Sequence, residues 1–135
     1  MQFVVAGCRP DPPDRITAKQ VHLTFAGLYP GELDFQNVLA AARGWARTRG
    51  GLREYVIGRE KHAAPAVAGR DEHFHVYLHY GKKVELGNRR TSAVFDLAGR
   101  SGRTLHPEIQ SVGQSAADRE RVISEAGANG PRRPP

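Results

Sequence analysis

The stretch His73-Phe-His-Val-Tyr-Leu-His-Tyr80 is the strongest strand pattern in the chain, and the rest of the fold is read outward from it. Successive side chains of a strand point to opposite faces. His73 and His75 therefore project side by side, with Tyr77 and His79 on the same face, while Phe74 faces the opposite layer. Tyr80 also lies opposite the histidines, so core packing claims it ahead of Tyr77.

Upstream, Val21-His-Leu-Thr-Phe25 alternates and carries β-formers, which predicts a strand. Tyr29-Pro-Gly31 is a turn. Phe35, Val38, Leu39, Ala42 and Trp45 fall at helical spacing behind Asp34, an N-cap, and the helix ends before Gly50-Gly51. Leu52 to Glu60 is a second strand, and Ala63 to Asp71 a flexible loop. Downstream, Gly81-Lys-Lys reads as a turn, and Ser92 to Leu97 and Glu108 to Val112 as short, weaker strands. A last helix starts at Ser115, with Asp118 at the third position, and runs to about Ala126, where Gly127 stops it.

Strand and helix do not alternate regularly, which argues against a parallel, doubly wound sheet. The order predicts an α+β fold, a central antiparallel sheet with helices packed mainly on one face, in a ferredoxin-like arrangement. Residues 1–14 end in a Pro/Asp cluster and read as a flexible N-terminal segment; 15–127 is the domain; 128–135, rich in Gly, Pro and Arg, reads as a disordered tail or linker to other domains.

Bulk properties narrow the function. The 135 residues suffice for one domain, and no stretch approaches the roughly 20 apolar residues of a membrane helix. A single cysteine, Cys8, excludes an internal disulfide and a multi-cysteine zinc site, and makes an intracellular location the default, nuclear if the source is eukaryotic. The net charge of +6 attracts polyanions, with nucleic acid the commonest partner.

Paired imidazoles on one strand face suit a metal ion, and Glu60, which a hairpin brings beside them, would complete a two-histidine, one-carboxylate set with open positions. The same residues also describe two surface histidines beside a solvated strand end flanked by Arg59 and Lys61, and the spacing alone leaves both readings open.

The stretches Arg15–Phe25 with Tyr29-Pro30, Gly58–His62, His73–His75 and Phe95–Leu97 followed by His106–Gln110, taken in order, resemble the replication-initiator (Rep) domain of geminiviruses and related circular single-stranded DNA viruses. Arg15-Ile-Thr-Ala-Lys-Gln-Val-His-Leu-Thr-Phe25 with Tyr29-Pro30 is similar to the first Rep motif. Gly58-Arg-Glu-Lys-His62 resembles the segment bearing the acidic metal ligand, and His73-Phe-His75 the HUH signature. Phe95-Asp-Leu97 followed by His106-Pro-Glu-Ile-Gln110 resembles the segment between the second and third motifs and is the most specific part. The likeness covers about Arg15 to Gly127. It implies an HUH endonuclease fold with a divalent cation, magnesium or manganese, on Glu60, His73 and His75. It also implies single-stranded DNA as substrate and a helix-borne tyrosine that attacks the phosphate.

The third motif departs. The tyrosine position falls on Val122 and the lysine position on Glu125, and no tyrosine follows Tyr80. Valine has no nucleophilic atom, and a glutamate repels the phosphate that a lysine attracts. His79 stands where many of these motifs carry glutamine; it is a further ligand, a partner supporting the ligands, or a solvated sheet residue.

Basic residues fit retained binding of DNA, whether single-stranded, hairpin or duplex. They are Arg15, Lys19, Arg53, Arg59, Lys82, Lys83, Arg89, Arg90, Arg100 and Arg103, with Arg43, Arg47 and Arg49 near the first helix end. Phe25, Tyr77 and Tyr80 are candidates for base stacking or for the core. The reading that follows is a DNA-binding domain derived from a Rep endonuclease and unable to nick. The alternatives are a metal-dependent nickase using another nucleophile and a non-catalytic protein-interaction module of a larger assembly.

Overall fold

The computed structural model describes residues 15–61, 65, 67–113, 116–126 and 132–133, of which 116, 125, 126, 132 and 133 are described by backbone alone. The elements run β1 (Ile16–Leu28), α1 (Phe35–Trp45), a 3-10 turn (Ala46–Thr48), β2 (Leu52–Lys61), β3 (Glu72–Leu86), β4 (Leu97–Ala98), β5 (Thr104–Leu105), β6 (Glu108–Ser111), α2 (Ala116–Ala126) and β7 (Arg132–Arg133). The main sheet has the order β6-β1-β3-β2-β7, and β4 and β5 form a separate two-stranded pair. All pairings are antiparallel, so the α+β class with a central antiparallel sheet holds.

The core follows the alternation in β3. Phe74, Val76, Leu78 and Tyr80 join Leu23, Phe25, Ile57 and the α1 residues Val38, Leu39 and Ala42 in one buried cluster. Asp34 caps α1, its Oδ1 accepting from the Asn37 amide at 2.7 Å. The opposite face carries a smaller cluster of Val56, Tyr77, Val112, Val122 and Ile123. The two helices therefore do not pack mainly on one face, as the element order predicted, but divide between the faces: α1 covers the main core, and α2 covers part of the histidine face. Helical spacing shows that a helix buries one side; it does not show which sheet face receives it.

Three local expectations change. Gly81-Lys82-Lys83 is not a turn but the middle of β3, which continues to pair Val84, Glu85 and Leu86 with Ala18, Thr17 and Ile16. The Gly50–Gly51 turn, with φ of 75° and 82°, crosses here: the Gly81 amide donates to Gly51 O at 3.1 Å and the Lys82 amide to Arg49 O at 2.8 Å. A Cβ at Gly81 would collide with the Gly50 carbonyl, so this glycine serves close backbone approach rather than a bend. Of the strand expected over Ser92 to Leu97, only Leu97 belongs to one; the preceding residues form turns that bury Phe95 against Trp45, ring centroids 5.0 Å apart. Arg132–Arg133, expected in a disordered tail, pair with Val56 and Tyr55 on the outer edge of β2, where backbone groups alone supply the bonds. The expected Ser115 cap, the Gly127 stop and the segment 1–14 lie outside the described residues.

Candidate metal centre

Antiparallel pairing of β2 with β3 sets Glu60 opposite His73 and Gly58 opposite His75. One ligand atom each from Glu60, His73 and His75 lie within 4.8 Å of one another, and His75 Nε2 stands 4.0 Å from Glu60 Oε2. The carboxylate side chain is 55% exposed, so the centre opens to solvent on that side. Two imidazoles and a carboxylate with an open side fit a divalent cation that keeps positions for water or phosphate oxygens. The donors expected from the strand parity are brought together.

His79 is not brought to them. It lies two further same-face positions along β3, roughly 13 Å from His75 at the rise of a strand. Tyr77 intervenes, fully buried under α2, its hydroxyl donating to Gln20 Oε1 at 2.8 Å. Burial pushes the Tyr77 phenol up to about 12, with the nearby Glu54 carboxylate acting in the same direction. Burial likewise holds the His79 imidazole below its ordinary value, opposed by Glu54 and helped by Arg119. Phe25 and Tyr80 are buried in the main core and Tyr77 in the α2 cluster, so none of the three offers a face to a nucleic-acid base.

Across from the ligands, β1 and β6 extend the same polar face. Thr24 pairs with His75 and Glu108, and His22 with Tyr77 and Gln110. His22, 5% exposed, stacks its ring on that of His75 at 5.6 Å and 24°. The alternation Val21-His-Leu-Thr-Phe25 already put His22 on a polar face; its neighbour depended on a strand register that sequence alone does not fix.

Val122, which the Rep resemblance sets at the tyrosine position, lies over the same sheet face as the centre. Val122 packs with Val56 and Tyr77, and Tyr77 follows His75 by one same-face step of about 7 Å. Its side chain is 3% exposed. The Glu125 side chain lies outside the described residues. α2 is held as well by Arg119, which forms ion pairs with Glu54, itself 0% exposed, and with Glu120.

The segments Phe95-Asp-Leu97 and His106-Pro-Glu-Ile-Gln110 are physically joined. Asp96 Oδ1 lies 2.6 Å from His106 Nδ1, Leu97 pairs with Leu105, and Phe95 is buried.

The basic residues divide into groups. Lys19, Lys83 and His79 line a cavity of about 610 Å³, and Lys19, Arg53 and His79 an adjoining one of about 350 Å³. Arg89 and Arg90 line a third, of about 410 Å³, with His106 and Glu108, and Arg89 donates to Ile109 O at 3.2 Å. Arg15, Lys82 and Arg100 are exposed. Two of the expected DNA contacts are tied into the fold. Arg103 grips the buried Glu32 carboxylate at 2.6 and 3.2 Å, and Arg59 lies over the Phe35 ring, 3.9 Å from the buried Glu72.

Compared with known proteins, the chain matches no protein-family model and no curated protein sequence. No helix among the described residues is long and apolar enough to cross a membrane.

Proposed function

We propose that this chain is a DNA-binding domain of the Rep type that holds a divalent cation and has lost the means to cut. One observation carries the reading: Glu60, His73 and His75 converge, while the adjacent position aligned with the nucleophile is a buried valine. A cation on these donors would supply Lewis-acid polarisation of a phosphate oxygen. The chain's own residues would bind and orient the strand. The open carboxylate side admits a phosphate, and Lys19, Arg53, Lys83, Arg89 and Arg90 offer it charge on either side. Imidazole donors favour manganese over magnesium, which prefers oxygen ligands in an octahedral shell.

The test is incubation with 5′-labelled single-stranded DNA and Mn²⁺, resolved on a denaturing gel beside a protein gel. The expected result is intact DNA and no covalent adduct. Cleavage with an adduct would establish a nickase with a different nucleophile; cleavage without one would point to a metal-activated water. Absence of DNA binding in a parallel anisotropy titration would favour the interaction module instead.

A further inference from the structure

Imidazole ligands of a metal are normally oriented by a hydrogen bond from the ring nitrogen that does not face the ion. Among the described residues, His75 has no such anchor. Its Nε2 is the atom turned toward Glu60, and its Nδ1 is buried with no hydrogen-bond partner among the described residues. Directly across on β2 stands Gly58, which offers no side chain against the ring. The buried ring that does meet it comes from β1: His22, nearly parallel to it at a centroid distance of 5.6 Å.

We propose that His22 is a positioning residue for the metal centre, its planar ring holding the His75 imidazole with Nε2 toward Glu60. The inference rests on the metal-centre reading above. Stacking fixes the plane of an aromatic ring without requiring a hydrogen bond. His22 is itself fixed, because it is buried between the rows of β3 and β6. The role belongs to the ring rather than to its nitrogens, since the ligand atoms that converge are those of Glu60, His73 and His75.

Calorimetric titration with Zn²⁺, a diamagnetic probe, tests this, together with long-range 1H–15N NMR of the imidazoles. His22→Leu fills the space without a planar ring and should weaken Zn²⁺ binding about tenfold. His75 should then populate more than one ring orientation. His22→Phe keeps the ring and should restore both the affinity and the single His75 signal. His22→Met, flexible enough to fill the same gap, replaces His22→Leu if that variant does not fold. Unchanged affinity in His22→Leu, or an equal loss in His22→Phe, would overturn the proposal. Zn²⁺ binding that His75→Ala abolishes and His22→Leu leaves intact would overturn it alone. A wild-type protein that binds no Zn²⁺ would overturn the metal centre with it.

Discussion

Glu32 shows how single residues hold the loops beside the sheet. Its buried carboxylate accepts from Arg103, Ser101 and the Tyr29 amide, and Arg103 also lies over the Tyr29 ring at 5.5 Å. The Arg103 guanidinium holds the carboxyl down at about 2, against an ordinary value of 4.5. A folded-state value depressed in this way stabilises the protein above the unfolded value, and the contribution is lost as pH falls from about 4.5 toward about 2. Glu32→Gln should cost about 1.5–3 kcal/mol at neutral pH. In urea unfolding across a pH series, the variant should also lose less stability than the wild type over that acid interval. At the centre, His75→Ala should abolish metal binding in the same titration that wild type passes, because it removes one of two imidazoles. Glu60, His73 and His75 were legible in the sequence because strand parity and a hairpin suffice to bring them together. The His22 stack and the Asp96–His106 contact were not, since each depends on how separate segments dock.

α2 is the element whose role the sequence described least. Its cap and stop residues announced a helix but no buried side; on the histidine face it joins Val122 and Ile123 to Val56 and Tyr77 and pairs Arg119 with the buried Glu54 carboxylate. Arg119→Met should destabilise the fold by about 3 kcal/mol, because it leaves a buried charge without its ion-pair partner. Replacing both residues with apolar ones, Glu54→Leu with Arg119→Met, should recover most of that loss in chemical denaturation. Val122→Tyr tests the proposed loss of the third motif from the other side. Overpacking against Val56 and Tyr77 should cost about 1–3 kcal/mol. On the proposed reading it should not restore cutting by itself, because the sequence carries a glutamate, Glu125, where the resemblance calls for a lysine. The first helix, by contrast, was legible to its cap and its glycine stop, because local chemistry and packing agree there. β3 was legible through Tyr80 and then hidden, because Gly81-Lys82-Lys83 has turn composition while the crossing Gly50–Gly51 backbone keeps it extended.

At the scale of the molecule, the sheet presents a polar face with a candidate metal centre toward one end and Lys19, Arg53 and Lys83 toward the other, with α2 between them. The net charge of +6 raised the expectation of a polyanion partner; the structure sorts that charge into exposed groups and groups already committed to the fold, such as Arg103. Lys19→Gln with Lys83→Gln should therefore weaken DNA binding and flatten its salt dependence, whereas Arg103→Gln should act on stability first. On the proposed function, this surface binds a nucleic-acid backbone. Fluorescence anisotropy of a labelled single-stranded oligonucleotide, titrated with protein from low to moderate salt, tests it most directly. The expected result is binding whose log affinity falls linearly with log salt, at about 0.7 per phosphate neutralised. Undetectable binding at low salt, or affinity independent of salt, would contradict it.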